Sequence, residues 1–414
     1  MTALRVAINA QLRPDGAAGG IEQFVASLVR SLGELDDGPE TYTVVGPARD
    51  PDWLEPLLGP NQRLVAAPEP RGVGGLLKRA RDSGRHRLSA HVDAAGVESS
   101  RGFFEGLGDV VHFPFQAYRR CTLPTVFNPH DLQHEHHPEL VPPGRLDHRR
   151  TTSRAACRLA DAVAAESRQT AEDVVRSYGV DRSKVHVIYR GAPTALEPQP
   201  SAAAVEAVRR ELGVSVFALY PAQTWPHKNH VRLARALGLL RERRGIVLTV
   251  VCTGRQNDFF PEIEAEARRA GVGEQLRFLG FVEATELRAL YRLAQFVVLP
   301  SLFEGGGFPL VEAFDEGAPV ACSDVPAYVE YAGDAALLFD PLSEESIADV
   351  LARMVGDEVL REDLARRGRE RVARFTWPRT AATYRALYRR LAGVALSAAD
   401  RELLSEAAFR LTPA

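Results

Sequence analysis

Apolar residues along this chain follow two alternating patterns. Short continuous runs such as Phe296 to Leu299 are typical of strands buried on both faces of a parallel sheet. Longer segments with apolar residues every three or four positions, such as Ile21 to Leu35, are typical of amphipathic helices. The runs predict strands at 4–9, 42–45, 63–66, 109–114, 124–128, 161–166, 185–189, 216–220, 247–252, 276–282, 296–299 and 319–322. The helical spacing predicts helices at 21–35, 145–159, 168–178, 261–271, 286–294, 309–316, 377–391 and 397–410, and two more within 343–374.

The order of these elements predicts the fold. Strands and helices alternate through the chain in two series, which indicates an α/β protein with two Rossmann-like parallel-sheet domains facing each other across a cleft. The segment 193–204 contains three prolines and no periodicity, which is typical of a linker. The predicted organisation is a first domain at 1–192, a linker and first helix at 193–212, a second domain at 213–376 and C-terminal helices at 377–414.

One stretch, Phe296 to Val325, carries the strongest chemical signal. It predicts a strand, a loop with the three glycines Gly305 to Gly307, and a helix that begins near Pro309. Glu304 precedes the glycines and Glu312 lies within the helix. Glycine amides and a helix N-terminus favour a phosphate, and carboxylates accept from sugar hydroxyls. From the local pattern alone, a tight strand–helix turn with two solvated glutamates is an equal alternative.

Composition narrows the class of protein. A chain of 414 residues, 45% hydrophobic and 25% charged, is long enough for two or three domains with their own cores. A net charge of -3 gives no field that attracts nucleic acid, so none is expected as a partner. The cysteines are far apart, which predicts buried thiols in a reducing compartment. No signal-peptide pattern and no apolar stretch of ~18 residues are present. We therefore expect a cytoplasmic enzyme that can still contact the inner membrane surface.

Two patterns raise the question of a metal. Four histidines occur in the segment His130 to His137, but their spacing matches no zinc motif. His130 and Asp131 are better interpreted as a pair at the carboxyl end of a strand, where α/β sheets bind ligands. The triplet Asp50-Pro51-Asp52 lies in a proline-rich connection, which favours a turn. The prediction is no metal and no cofactor.

Two segments have less specific patterns. The predicted helix Arg145 to Leu159 is rich in arginine, and such a run is usually a solvated face. The second interpretation is attraction to an anionic acceptor or to an anionic membrane surface, which salt would weaken. Residues 70–108 are rich in arginine and glycine, and we expect one or two helices and a mobile loop there.

The stretch around the two glutamates resembles a known family. Glu304 and Glu312 are separated by seven residues in the sequence FEGGGFPLVEA, which is similar to the E-x7-E signature of retaining glycosyltransferases of the GT-B fold, family 4 (group 1). The flanking residues that also match are Pro300, Ser301, Gly317, Pro319, Val320 and Ser323. The resemblance implies an acceptor-side first domain, a second domain that binds a nucleotide sugar, and a final helix that crosses back to the first domain.

The resemblance also implies roles for residues of the second domain. Glu304 would orient the donor sugar, and Glu312 would hold the ribose. Val282 falls at the base-binding edge. Backbone amides of the loop would contact the donor at Gly305, Gly306, Gly307 and Phe308.

Further roles are implied at the ends of other strands. Gly19 and Gly20 would lie near the donor phosphate and the acceptor, and His130 would reach the donor sugar from the first domain. Lys228 stands at the family's lysine, which clamps the diphosphate, but Gln223 stands where the family has an arginine. Arg190 replaces a usual asparagine, and it is one cation that is a candidate to compensate for the missing arginine.

The expected reaction is metal-independent transfer of a hexosyl group from a UDP- or GDP-sugar to an acceptor hydroxyl, with retention at the anomeric carbon. The catalytic residues are expected to be His130, Lys228 and Glu304. The sequence leaves other functions open on the same scaffold: a phosphorylase-like or nucleotide-sugar epimerase activity, or a donor-binding protein with little catalysis, for which the missing arginine is the reason.

Overall fold

A computed structural model of the chain describes residues 3–13, 19–68, 97–100, 102–141 and 143–409. The chain divides into two compact units. The first runs up to Tyr189 and resumes at Trp377, and the second extends from Arg190 to Thr376.

The first unit is built on a seven-stranded parallel sheet. The strand order is β3-β2-β1-β5-β7-β8-β9, and the short strands β4 and β6 form a separate parallel pair. The order reverses between β1 and β5, as in doubly wound sheets. The strands are β1 Arg5–Asn9, β2 Thr41–Gly46, β3 Gln62–Ala66, β4 Glu98–Ser99, β5 Val110–Phe113, β6 Arg119–Arg120, β7 Thr125–Phe127, β8 Ala162–Ala165 and β9 Val185–Val187.

Helices follow these strands as the sequence predicts. Helix α4 begins with a cap, because the Ser167 hydroxyl accepts from the Thr170 amide, a common helix-start signal. The helices of this part of the chain are α1 Gly20–Gly33, α2 Gln133–His136, α3 Pro143–Leu159 and α4 Arg168–Tyr178.

The second unit contains a six-stranded parallel sheet of order β12-β11-β10-β13-β14-β15. This is the order of a dinucleotide-binding sheet, with its switch point between β10 and β13. Strand β13 is fully buried, which explains its continuous apolar sequence. The strands are β10 Ala218–Pro221, β11 Val250–Thr253, β12 Leu276–Gly280, β13 Phe296–Leu299, β14 Val320–Ser323 and β15 Ala336–Phe339.

Eight helices of the described second unit flank this sheet. Gly317, with a φ of 74°, ends the helix after the glycine loop, because glycine adopts the left-handed conformation without strain. The helices are α5 Ala202–Leu212, α6 His230–Arg244, α7 Phe260–Arg269, α8 Ala284–Leu293, α9 Phe308–Asp315, α10 Pro326–Ala332, α11 Glu344–Gly356 and α12 Glu358–Val372.

The chain returns to the first unit through helices α13 (Trp377–Leu391) and α14 (Ala398–Ala407). Helix α13 packs on α1. A buried polar network also joins it to the sheet: the ring of His112 lies 2.7 Å from the Tyr388 hydroxyl and 2.6 Å from Asn128 Oδ1. Asn128 Nδ2 donates to the Tyr384 hydroxyl at 2.8 Å. The final helices are therefore an integral part of the first unit.

The proline-rich segment after Arg190 is ordered and belongs to the second unit. Its 3-10 turn, Pro193–Leu196, is fixed by a buried arginine. Arg288 Nη1 donates to the Thr194 carbonyl at 2.7 Å, and Arg288 Nε lies 2.5 Å from Glu316. Both charged side chains are 1% exposed, so their mutual pairing is what makes their burial tolerable.

The predicted fold class is confirmed: both sheets are parallel and both are doubly wound. The sequence did not predict β4, β6, β15, α2 or α10. Asp50 adopts a left-handed conformation before a 3-10 helix, Pro51–Leu57, so the acidic triplet begins a helical turn. The interpretation of residues 70–108 falls largely outside the described residues.

Candidate functional site

The residues of the predicted site in the second unit lie at the carboxyl ends of β10 and β13. These two strands are neighbours in the sheet and flank its switch point. The loop after β10 contains Gln223 and the 3-10 turn Pro226–Lys228. The loop after β13 contains Glu304 and the three glycines. In open α/β sheets, the crevice at this point is where ligands bind.

Lys228 and Glu304 contact each other across these two loops. Lys228 Nζ lies 2.6 Å from Glu304 Oε1, and the side chains are 16% and 12% exposed. The Tyr328 hydroxyl donates to the same oxygen at 2.9 Å. The carboxylate therefore has two donors on one oxygen, and the ammonium is held at the start of the glycine loop.

The glycine loop leads directly into α9. Gly305 and Gly306 are half-buried and Gly307 is buried. A Cβ on Gly307 would lie 3.0 Å from the ring of Tyr331, so a side chain at this position would force the ring to shift. No acidic side chain lies in the first turn of α9, so no residue of that turn neutralises the positive end of the helix. Together with Lys228, these amides form a site suited to an anion.

Glu312 lies in α9 and is 4% exposed. The Tyr291 hydroxyl donates to its Oε2 at 2.8 Å, and Oε1 has no hydrogen-bond partner among the described residues. Burial raises the pKa of the Glu312 carboxyl to about 7. A buried carboxylate oxygen without a partner is costly, and a hydroxyl from a ligand would satisfy it.

Gln223 and Phe308 have partners near the same loops. Gln223 Oε1 accepts from the Trp225 indole N–H at 2.8 Å, so the carbonyl of this amide is already engaged. The Arg190 guanidinium carbon lies 4.9 Å from the centre of the Phe308 ring. Arg190 is 6% exposed, so the residue that departs from the family pattern stacks beside the glycine loop. Val282 is half-buried just after β12.

In the first unit, the predicted residues also follow strand ends. Gly19 has a φ of 52° and precedes Gly20, the first residue of α1. His130 has a φ of 63°, its Nε2 lies 2.8 Å from the Pro114 carbonyl, and its Nδ1 lies 3.2 Å from Glu166 Oε1. A carbonyl only accepts, so Nε2 carries a proton. Nε2 of His130 therefore donates within this unit, and Nδ1 has a carboxylate as its neighbour.

The other histidines of the cluster separate in space. His134 is buried against the Tyr178 hydroxyl, at 2.7 Å. His136 pairs with Asp173 at 2.8 Å, and His137 with Glu139 at 3.1 Å. Among the residues that the structure describes, no three His, Cys, Asp or Glu side chains are grouped as metal ligands.

Helix α3 holds several of its arginines against neighbouring groups. Arg149 lies 3.6 Å from Asp131 and Arg150 lies 3.3 Å from Glu135. Arg158 donates to the Tyr178 carbonyl.

Within the described parts of the chain, no helix is long and apolar enough to cross a bilayer.

Two tyrosines of this site were missed from the sequence. Tyr291 and Tyr328 are 21 and 24 residues from the glutamates to which they donate. They lie in α8 and α10 among core residues, so nothing in their local pattern distinguishes them from other buried aromatics.

A doubly wound unit with a lysine, a glycine loop and a helix N-terminus at its switch point belongs to the nucleotide-binding class of α/β proteins.

Comparison with known proteins makes this assignment specific. The family model described as Glycosyltransferase Family 4 matches residues 18–196, and the model described as Glycosyl transferases group 1 matches residues 209–371. The two matches together span most of the chain. The protein belongs to the group 1, family 4 glycosyltransferases.

Relatives and solved structures agree with this family. A D-inositol 3-phosphate glycosyltransferase of Xylanimonas cellulosilytica is 29% identical, with 90% of this chain and 92% of the relative covered. The O-antigen chain mannosyltransferase B of Escherichia coli is 26% identical over 60% of this chain and 65% of the relative. Anabaena HepE, solved in complex with UDP and glucose, has a TM-score of 0.70 at 19% identity and covers 94% of this chain and 100% of its own. This structural neighbour has the GT-B fold.

Proposed function

We propose that this enzyme transfers a hexosyl group from a UDP- or GDP-sugar to an acceptor hydroxyl, with retention of the anomeric configuration and without a metal ion. The observation that carries the proposal is the contact of Lys228 with Glu304 beside the glycine loop, at the switch point of the second sheet. A cation, loop amides and a helix N-terminus favour the diphosphate of such a donor.

The proposed chemistry uses the positive groups of the second unit. The bond between the anomeric carbon and the β-phosphate oxygen breaks, and charge develops on the leaving diphosphate. Lys228, the amides from Gly305 to Gly307 and the start of α9 stabilise that charge, a contribution that is often the largest in catalysis. The acceptor oxygen bonds to the anomeric carbon on the same face, and its proton moves to the leaving phosphate oxygen.

The two glutamates are proposed to bind opposite ends of the donor. Glu304 accepts from hydroxyls of the transferred sugar when the diphosphate takes over Lys228. Glu312 accepts from the ribose diol, which supplies the missing partner of its Oε1. His130 is proposed to contact the sugar from the first unit. Because its Nε2 donates to the Pro114 carbonyl, a sugar contact through that nitrogen requires this bond to exchange.

The test begins with ligand binding. A thermal-shift screen with UDP, GDP, dTDP and ADP should raise the melting temperature with UDP or GDP, since a ligand that binds the folded state stabilises it. The matching sugar donors are then incubated with polyol and sugar acceptors, including D-inositol 3-phosphate, the compound in the name of several relatives. Acceptor-dependent release of nucleoside diphosphate supports the proposal. Release with phosphate alone favours a phosphorylase, and a new nucleotide sugar without release favours an epimerase.

Three details need separate measurements. Proton NMR of the product gives the anomeric configuration, and inversion would refute retention. Activity that survives excess EDTA supports metal independence, and loss that magnesium or manganese restores refutes it. Tight nucleotide binding with no turnover on any acceptor would favour the donor-binding alternative, for which the glutamine at position 223 in place of an arginine is the reason.

A contact with an anionic membrane surface is proposed for the exposed basic residues of α3. Arg145 and Arg154 are exposed, and neither has an ion pair to a carboxylate among those found in the described residues. Pelleting with anionic vesicles at low ionic strength, weakened by salt, is the expected result. Vesicles without charge are the control, and absence of pelleting with both kinds would dispose of the contact.

A further inference from the structure

The residue after Lys228, Asn229, has an unusual backbone conformation. Its φ is 63° and its ψ is 29°, and it is the one non-glycine residue with positive φ in the described second unit. Asparagine is among the few residues that adopt this region at low cost. The left-handed turn separates the 3-10 turn Pro226–Lys228 from α6, so it sets the direction in which the chain leaves Lys228.

The Asn229 amide joins the ends of three strands. Nδ2 donates to the carbonyls of Pro300 and Pro341, at 2.9 Å in both cases. Pro300 follows β13 and Pro341 follows β15, whereas Asn229 itself lies in the loop after β10. Oδ1 accepts from Arg232 Nη1 at 3.2 Å. The residue is 3% exposed, and its donors and its acceptor are all used.

The backbone on either side of this amide is also fixed. The Tyr220 hydroxyl donates to the Lys228 carbonyl at 2.5 Å. The Leu302 amide donates to the His227 carbonyl at 2.8 Å. The loop that carries Lys228 and the loop that carries Glu304 are thus joined on both sides of the lysine, through the His227 carbonyl and through the buried Asn229 amide.

We propose that Asn229 is a positioning residue for donor binding. It holds the lysine loop in register with the glutamate loop, so that the Lys228 ammonium is already in place for the diphosphate of the donor. This inference rests on the proposed function, because it assumes that Lys228 binds that diphosphate. A fixed cation needs no rearrangement when the ligand arrives, and an error of about 1 Å in such a group can cost 100-fold.

A substitution by glycine separates the two properties of Asn229, its positive φ and the hydrogen bonds of its amide. Glycine accepts the same φ and lacks the amide, so Asn229→Gly keeps the backbone conformation and removes the hydrogen bonds of the amide to Pro300, Pro341 and Arg232. Asn61 in the first unit is a matched control, because its Nδ2 donates to two carbonyls, those of Leu32 and Leu35. It lies just before β3, at the amino ends of the strands. Asn61→Gly should lower the melting temperature and leave nucleotide affinity unchanged.

The experiment is a double-mutant cycle between Asn229→Gly and Lys228→Ala, read by calorimetric titration with UDP and GDP. Asn229→Gly in the unaltered background should weaken binding of the nucleoside diphosphate by about 10- to 100-fold. It should leave the affinity for the nucleoside without phosphates unchanged. In the Lys228→Ala background the same change should alter diphosphate affinity by less than about 2-fold, since a residue that acts through the lysine has nothing left to position.

Each outcome decides the question. A lower melting temperature with unchanged diphosphate affinity would show a structural role alone and overturn the proposal. Equal losses in both backgrounds would also overturn it. If Asn229→Gly does not fold, Arg232→Ala, which removes the bond to Oδ1, replaces it, and an unchanged affinity there counts against the proposal. If the unaltered protein binds none of UDP, GDP, dTDP or ADP, the proposed function itself fails.

Discussion

Lys228 and Glu304 neutralise each other before a ligand is bound. The ammonium and the carboxylate lie 2.6 Å apart and are only partly exposed. A nucleotide sugar brings a diphosphate with more negative charge than one carboxylate, so we expect the diphosphate to replace Glu304 as the partner of the ammonium. Glu304 is then released from the lysine and becomes available to the sugar. Before a ligand binds, the ion pair therefore keeps both side chains at the strand ends.

Replacement of the lysine tests this description. Lys228→Ala should lower kcat/KM by about 100- to 1,000-fold, the usual effect of removing one group that stabilises developing negative charge. The circular dichroism spectrum should stay unchanged, because the side chain is partly exposed and supports no core. The matched control is Lys184→Ala in the first unit, where the ammonium donates to the Ala160 carbonyl. Similar losses in both variants would contradict the assignment.

Glu312 adds a pH dependence to donor binding. Its pKa is raised to about 7 by burial, and the ionised form is the better acceptor for a ribose diol. Affinity for a nucleoside diphosphate should therefore rise as the pH increases through about 7. The phosphates titrate near pH 6 as well, so the informative quantity is the difference between the unaltered protein and Glu312→Gln. Titration calorimetry from pH 5.5 to 8.5 measures it, and identical profiles would refute the role.

The site could be predicted from sequence only in part, for a physical reason. Lys228, Glu304 and Glu312 are marked by their order around glycines and strand ends, which is a local pattern. The residues that orient these three side chains are not marked by any local pattern. Tyr328 and Tyr291 donate from other helices, and no periodicity distinguishes a core tyrosine that bonds a carboxylate from one that does not.

At the scale of elements, α13 is held to the first sheet by polar bonds inside an apolar interface. The His112 ring is 0% exposed and lies between Tyr388 and Asn128. Burial lowers its pKa to about 4, so the ring is neutral at pH 7, and one nitrogen donates while the other accepts. Each of these bonds matters mainly because its loss leaves a buried polar atom unsatisfied.

A pair of tyrosine variants measures that effect. Tyr388→Phe should destabilise the first unit by about 1–3 kcal/mol, because one nitrogen of His112 loses its partner. Tyr42 packs beside Tyr388, with ring centres 6.5 Å apart, and its buried hydroxyl has no partner among the described residues. Tyr42→Phe should therefore be neutral or stabilising. Urea denaturation compares the two, and an equal loss of stability in both would contradict the account.

Helices and strands were predicted well where the element is long and its apolar pattern is regular. The long helices α1, α4 and α13 have clear starts or continuous amphipathic spacing. Strand β15, which is four residues long, and the seven-residue helix α10 are too short for periodicity to identify them. The strands β4 and β6 have two residues each, and their pairing depends on chain segments that local sequence does not connect.

At the scale of the whole molecule, the two sheets have the same strand order except for one additional edge strand, β9, in the first. The two units differ in their buried titratable groups. The first unit contains His112, His134 and His186, each with a pKa lowered to about 4, mainly by burial. The second contains His230, whose pKa is lowered to about 3, and Glu312, whose pKa is raised to about 7. The two kinds of pKa shift have opposite effects on the stability of the fold as the pH falls.

Acid should therefore weaken the first unit more than the second. A histidine with a lowered pKa gives its full contribution above about pH 6.5, and that contribution is lost as the pH falls toward 4, because the unfolded chain binds the proton first. At pH 5 this amounts to about 2 kcal/mol for each of the three histidines. In the second unit the loss from His230 is offset, because a carboxyl with a raised pKa contributes fully below about pH 4.5 and loses that contribution as the pH rises through 7. Hydrogen exchange at pH 7.5 and 5, corrected for intrinsic rates, should show protection falling mainly in peptides from before Tyr189 and after Trp377. Equal loss of protection in both units would contradict this prediction.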